Sequence, residues 1–153
     1  MYKDDSFIMA VGMEDLEKSF AQLAKKYPDR AGEFLKKQAY KTRSGVVREM
    51  KSAVDVDLSN DKSLGKPKNY SVSQVKGYGK DQAVELTAKS PHFHLIEHGH
   101  ELVSHGALKS SRKNLGWVPG YLVMDAERKR REAKMPVECG EWADELLAEE
   151  GFL

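Results

Sequence analysis

Cysteine is almost absent from this chain of 153 residues, in which Cys139 is the single thiol. One cysteine excludes an internal disulfide and leaves no set of thiolates for a structural zinc site. We interpret Cys139 as a small core residue. The sequence also lacks a G-x-S-x-G nucleophile elbow and a phosphate-binding loop, so it carries no standard signal of hydrolase or nucleotide chemistry.

An excess of one charge sign is missing as well, because 25 Lys and Arg residues face 24 Asp and Glu residues and leave a formal charge of +1. A nearly neutral chain has no overall field that attracts nucleic acid or an anionic membrane. No apolar run approaches the roughly 18 residues that a membrane span needs, and the charged N-terminus does not look like a secretion signal. We therefore expect a cytoplasmic protein without a membrane partner, folded as a single domain over residues 1–153.

Apolar spacing predicts two amphipathic helices in the first third of the chain, at about residues 13–27 and 30–54. Pro28-Asp29 separates them in this prediction, because the residue before a proline avoids the α conformation. The second helix sets an apolar face opposite a stripe of cations. The apolar face consists of Ala31, Leu35, Ala39, Thr42, Val46, Met50 and Ala53, and the cations are Lys37, Lys41, Arg48 and Lys51.

Strands and further helices are expected after a polar segment. Alternating residues predict an antiparallel hairpin with strands at about residues 70–76 and 82–88. Ser90-Pro91 and Gly99 bound a helix of about two turns, and residues 100–118 read as a long irregular segment. Two last helices are expected at about residues 121–134 and 136–150, separated at Pro136. The class is α+β, with a helical N-terminus, a small antiparallel sheet and a C-terminal helix packed on the sheet.

Histidines are concentrated in one segment, where His94-Leu-Ile-Glu97-His98 matches the H-x-x-E-H pattern of a zinc metalloprotease class. On a helix His94 and His98 could both face a zinc ion, with Glu97 as general base. A helix of two turns is short for such a site, and no third ligand is identified. We keep a zinc-dependent hydrolase as an alternative and expect no metal, cofactor or catalytic residue.

Two sets of basic residues could contact DNA or an acidic partner. One is the stripe of Lys37, Lys41, Arg48 and Lys51, and the other is Lys109, Arg112 and Lys113 in the irregular segment. The run from Arg128 to Arg131 is interpreted as a solvated helix surface, because its members point in several directions. A small nucleic-acid-binding module is therefore a second alternative.

Two short segments carry a resemblance, Leu95-Ile-Glu97-His98-Gly99-His100 and Trp117-Val118-Pro119-Gly120. Together with the helical N-terminus, the hairpin and the charged C-terminal helix, they resemble the tail-completion, or neck, protein family of long-tailed bacteriophages and prophages. Members typically carry a Tyr-Val-Glu-x-Gly segment and, after a loop, a (Phe or Trp)-Val-Pro-Gly segment that opens the last helix. The chain departs from that pattern at His92 and His94, where aromatic or small residues are more common.

The resemblance implies a structural protein without enzyme activity, present in the host bacterial cytoplasm during assembly and then in the virion. It implies a homo-oligomeric ring, a hexamer in the virion, between the head connector and the tail tube or tail terminator. DNA would pass through the ring without sequence specificity. Structural roles are expected for Glu97 and Gly99, which fix the turn before the loop, for His100 in the same motif, and for Trp117, Pro119 and Gly120, which anchor the final helix to the sheet. We expect a mobile loop over residues 104–114 and a monomer or weak oligomer in dilute solution.

Overall fold

The computed structural model describes residues 4–104 and 112–152, with side chains from residue 15 onward. Three helices, α1 (Asp4–Ala53), α2 (Phe93–His98) and α3 (Val123–Glu149), combine with four strands. The strands are β1 (Tyr70–Val72), β2 (Leu86–Ala88), β3 (Gly99–Val103) and β4 (Asn114–Pro119). They form two separate antiparallel hairpins, β1–β2 and β3–β4, which confirms the α+β class.

The first helix continues through Pro28, so the predicted break at Pro28-Asp29 is wrong, as is the predicted start at residue 13. Proline inside a helix costs about 3 kcal/mol, because it removes a hydrogen bond and crowds the preceding turn. Contacts with the far end of the chain flank this position on both sides. Lys26 pairs with Glu150, and Arg30 pairs with Glu149 at 2.7 Å. These long-range contacts tie α1 to the end of the chain on both sides of the position where local sequence favours a break.

The last helix likewise continues through Pro136, so the two predicted helices at about residues 121–134 and 136–150 are one element. A side-chain bridge spans the proline. Arg131 donates two hydrogen bonds to the carboxylate of Glu138, at 3.1 and 2.6 Å. Since Arg131 also bonds Gln38 of α1, the segments before and after Pro136 are both fixed to the same neighbouring helix.

The first hairpin confirms the predicted antiparallel pairing, with Tyr70 opposite Ala88 and Val72 opposite Leu86. Its regular strands are shorter than predicted, and an isolated bridge between Lys76 and Ala83 extends the ladder towards the turn. The second hairpin occupies part of the segment that we predicted to be irregular, so that prediction is wrong for the strand residues. In this hairpin His100 lies opposite Val118 and Glu101 opposite Trp117, with an irregularity between Leu102 and Val103.

The core lies between the C-terminal half of α1, the first hairpin and the start of α3, and it includes Val46, Met50, Tyr70 and Val123. The predicted apolar face of α1 is confirmed, because Val46 and Met50 are fully buried and its other members are partly buried. The four cations of the opposite stripe are exposed. The third helix runs antiparallel along α1, which is its main packing partner. Glu150 therefore lies near Lys26, and Glu127 lies near Arg48.

Candidate assembly surface

Two glycines bring the motif segments into contact. Gly99 ends α2 with a φ of +84°, a conformation that other residues rarely adopt. A Cβ on Gly99 would lie closer than 3.0 Å to the carbonyl oxygen of Val118, and a Cβ on Gly120 would meet the carbonyl oxygen of Glu97 equally closely. Both positions need glycine because backbone passes against backbone. The predicted structural role of this pair is consistent with the geometry.

Glu97 is the buried polar centre of this junction, with a relative exposure of 5%. Its carboxylate accepts hydrogen bonds from the backbone N–H groups of Met124 at 3.0 Å and Asp125 at 3.1 Å. The residue preceding α3 is Leu122, which has a left-handed φ of 51° and no side-chain acceptor. Glu97 therefore supplies the cap and the negative charge that the start of α3 lacks. It fixes the last helix, a more specific role than the turn-forming role that we predicted.

Backbone hydrogen bonds complete the attachment of α3 to α2. The N–H of Tyr121 donates to the carbonyl of Ile96 at 2.8 Å, and the N–H of Leu122 donates to the carbonyl of Glu97 at 3.2 Å. The β3–β4 hairpin is thereby tied at its base to two helices. His100 is partly buried near this base, and its Nδ1 atom has no hydrogen-bond partner among the described residues.

The β3–β4 hairpin exposes most of its apolar side chains. Leu115 and Trp117 are each 61% exposed, Leu102 is 46% exposed, and Tyr121 directly after the hairpin is 53% exposed. Trp117 therefore does not anchor the final helix, and Pro119 is exposed as well, so both of these predictions are wrong. The reason is strand alternation, which points residue 117 to the opposite face from the partly buried Val118. Only Gly120 of the second motif segment has the predicted anchoring contact.

The histidine pattern does not form a convergent site. His94 and His98 are exposed, whereas Glu97 between them is buried and its carboxylate is occupied by the two N–H groups of α3. A general base for a zinc-bound water must face the same space as the metal ligands. Among the described side chains, no three His, Cys, Asp or Glu residues converge as metal ligands do, and His105 lies outside the described residues. The geometry weighs against the zinc alternative.

Carboxylates of α3 and of α1 itself partly neutralise the basic stripe. Lys41 lies 3.3 Å from Glu138, and Arg48 lies 3.5 Å from Glu49 and 3.8 Å from Glu127. Hydrogen bonds from Arg131, supported by Lys41, lower the pKa of Glu138 to about 2. Lys37 and Lys51 are exposed.

Two members of the second basic set, Arg112 and Lys113, lie at the end of the β3–β4 hairpin that is remote from α2 and α3. Arg112 and Lys113 are exposed. The N–H of Ser104 donates a hydrogen bond to the carbonyl oxygen of Lys113 at 2.9 Å. Lys109 lies outside the described residues, as do most residues of the predicted mobile loop. The charges that are described mark the tip of an exposed hairpin.

Sequence reasoning missed two features of this surface. Leu115 and Trp117 lie within a segment rich in Ser, Lys and Gly, a composition that indicates a loop. The apolar residues at alternate positions 115 and 117 are a short strand pattern inside that segment. Arg131 was interpreted as solvated, yet it is buried at 8% exposure and bonded to Gln38 and Glu138. No local signal distinguishes Arg131 from its neighbours in the run, because its partners come from a different helix or lie beyond a proline.

Comparison with known proteins gives no match: no protein-family model, curated protein or solved structure is significantly similar to this chain. In the part of the chain that was searched, every helix is too short or too polar to cross a bilayer.

Proposed function

We propose that this chain is a structural assembly protein of a phage or prophage neck, which joins the head connector to the tail as part of a homo-oligomeric ring. The observation that carries the proposal is the β3–β4 hairpin, which projects exposed apolar side chains from a firmly attached base. The two segments of the resemblance to tail-completion proteins meet at the base of this hairpin, because the first runs from α2 into β3 and the second covers the end of β4. No catalytic residue, cofactor or metal is part of the proposal, and DNA passes through the ring without specific contacts.

The energetics of an isolated hairpin support a role in assembly. A two-stranded sheet is marginally stable in water, and it needs further strands or a packed face to persist. In this hairpin β3 pairs only with β4 among the described strands, and Leu115 and Trp117 lie in solvent. Contiguous exposed apolar groups mark interaction sites. A neighbouring subunit that covers this face would supply the missing packing, and contact with a different surface of the next copy gives a ring when the rotation between copies closes.

Removal of the apolar face tests the proposal directly. We expect Leu115→Ser with Trp117→Ser to fold normally and to lose head-to-tail joining, measured as plaque titre after purified protein is added to a lysate of phage that lack this gene. Tyr78→Ser is the matched control, because Tyr78 is 80% exposed in the turn of the other hairpin. A drop of at least about tenfold in titre is expected for the double variant alone. Full titre with the folded double variant would contradict the proposal.

The tip of the hairpin provides an independent test. Replacement of residues 104–114 by a short Gly-Ser linker removes Arg112 and Lys113 but leaves the buried base of the hairpin intact. We expect normal folding and failed joining. Full infectivity would refute an assembly role for the tip, and portal, capsid and tail-tube genes beside this gene would support the phage class.

A further inference from the structure

A groove lies along the seam between α1 and α3 in two adjoining parts, which share Lys37, Lys41 and Glu138 and differ in their balance of charge. One end has five cations and a single carboxylate, Glu138, among its lining side chains. The other end has acidic side chains from both helices, next to Trp142. The groove is defined by Lys41, Arg48 and Arg130 at its basic end and by Glu33, Glu141 and Glu145 at its acidic end.

The charges at the acidic end are available to a partner. Glu33, Glu141 and Glu145 are exposed, and among the described residues none of them has a cation within 4.0 Å. Three cations also line this end: Arg30, Lys37 and Lys41. Arg30 is paired with Glu149 at 2.7 Å, and Lys41 lies 3.3 Å from Glu138. The three carboxylates without a paired cation among the described residues therefore face one exposed cation, Lys37, and a negative excess remains.

The basic end is only partly neutralised from within the chain. Glu127 is fully buried beneath it and accepts two hydrogen bonds from Arg130, at 2.7 and 2.6 Å, and it also lies 3.8 Å from Arg48. Glu138 is shared between Lys41 and Arg131. Glu49 lies 3.5 Å from Arg48, so three carboxylates contact the five cations and a positive excess remains.

The groove also offers the aromatic groups that protein interfaces use. Tyr40 is 43% exposed in the basic half, and Trp142 is partly buried in the acidic half, where it packs against Phe34 with ring centroids 5.1 Å apart. Tyrosine, tryptophan and arginine are the residues most enriched at the energetic centres of protein interfaces. A partner that covers the groove would therefore gain apolar burial as well as charge pairing.

We propose that the groove binds a second copy of this chain in antiparallel orientation, related by a two-fold axis. On α1, Lys41 and Arg48 follow Glu33 by eight and fifteen positions, so the basic and acidic ends are about 12 to 22 Å apart at a rise of about 1.5 Å per residue. A two-fold rotation about an axis between them places the basic end of each copy against the acidic end of the other, so the surface is self-complementary. A nucleic acid backbone along the same groove would be repelled at the acidic end, which favours the second copy over DNA.

This dimer is weak and depends on salt, because individual exposed ion pairs contribute little and are screened. Their effect is on orientation more than on affinity. The contact leaves the β3–β4 hairpin free, so the dimer is independent of the proposed ring and does not depend on the phage assignment.

Charge reversal at each end, followed by mixing, tests the proposal. We expect the wild type to dimerise at low salt in sedimentation velocity, and we expect at least tenfold weaker dimerisation for Lys41→Glu with Arg48→Glu and for Glu141→Lys with Glu145→Lys. In the mixture of the two variants each copy meets the opposite charge at both ends, so a heterodimer should form. The reversal Lys62→Glu with Lys80→Glu, at exposed positions outside the groove, is the control and should dimerise like the wild type.

Three results would overturn the proposal: a wild type that stays monomeric at low salt, reversed variants that dimerise like the wild type, or a monomer that binds duplex DNA through Lys41 and Arg48. If the Arg48 variant fails to fold, Lys41→Ala with Arg48→Ala gives the same comparison without an added acid. Trp117→Ser should leave this dimer intact, so a failure of the groove contact and a failure of the hairpin contact are distinguishable.

Discussion

Gly45 and Gly140 are expected to respond in opposite directions to the same substitution. Both lie inside long helices, where replacement of glycine by alanine normally stabilises by about 0.5–1 kcal/mol, because alanine loses less backbone entropy on folding. A Cβ at Gly140 would have open space around it. A Cβ at Gly45 would overlap the carboxylate of Glu127, which is fully buried and bonded to Arg130. Gly45 therefore provides room for a buried charge from the neighbouring helix.

The magnitude for Gly45→Ala follows from three contributions. Overpacking costs about 1–3 kcal/mol, and weakened hydrogen bonds of the displaced Glu127 carboxylate cost a further 1–3 kcal/mol or so. The helix propensity of alanine offsets about 1 kcal/mol. We therefore expect Gly45→Ala to lower the free energy of unfolding by about 1–5 kcal/mol and Gly140→Ala to raise it by about 0.5–1 kcal/mol.

Chemical denaturation in urea measures both free energies. The shift in midpoint reports the change in stability when the dependence of the free energy on urea concentration is the same in wild type and variant. A double-mutant cycle identifies the cause, because the cost of Gly45→Ala should largely disappear once Glu127→Ala has removed the carboxylate. If Gly45→Ala stabilises the protein as much as Gly140→Ala does, the predicted contact between α1 and α3 at this position is wrong.

Three further predictions follow from buried or paired groups. Glu97→Ala should lower the free energy of unfolding by about 2–3 kcal/mol in urea denaturation, since it leaves two N–H groups of α3 without acceptors. The control Glu101→Ala removes an exposed carboxylate and should cost less than about 0.5 kcal/mol, so equal costs would contradict the capping role of Glu97. Burial, with a smaller contribution from Glu97, raises the pKa of Tyr70 to about 12, so this residue contributes stability below pH of about 10 that is lost as the pH rises towards 12. Ultraviolet titration should show one tyrosine that ionises at a higher pH than the others and is absent in Tyr70→Phe, and an unchanged titration curve would refute this. Arg131 lowers the pKa of Glu138 from 4.5 to about 2, so the ion pair stabilises the fold above pH 4.5 and this stability is lost as the pH falls towards 2. The stability of Glu138→Gln, followed by circular dichroism during acid unfolding, should depend less on pH in that window than the stability of the wild type, and identical profiles would argue against the pairing.

Local patterns in the sequence determine much of this protein. The apolar face of α1 follows from the spacing of Val46 and Met50, because a helix repeats every 3.6 residues whatever surrounds it. The first hairpin follows from strand alternation around a glycine-rich turn. Gly99 ends α2 because few other residues adopt its backbone conformation. Each of these predictions needs only residues close together in the chain.

Tertiary structure decides the remaining features, because the groups that settle them are far apart in sequence. Pro28 and Pro136 remain inside helices, since contacts between α1 and α3 outweigh a local cost of about 3 kcal/mol each. Glu97 caps a helix that begins 26 residues later, as its bonds to Met124 and Asp125 show. Trp117 is exposed although tryptophan is usually buried, because the β3–β4 hairpin has no other element on that face within the described chain. The apolar residues available for assembly are thus those that the fold leaves uncovered, and no local pattern reports that.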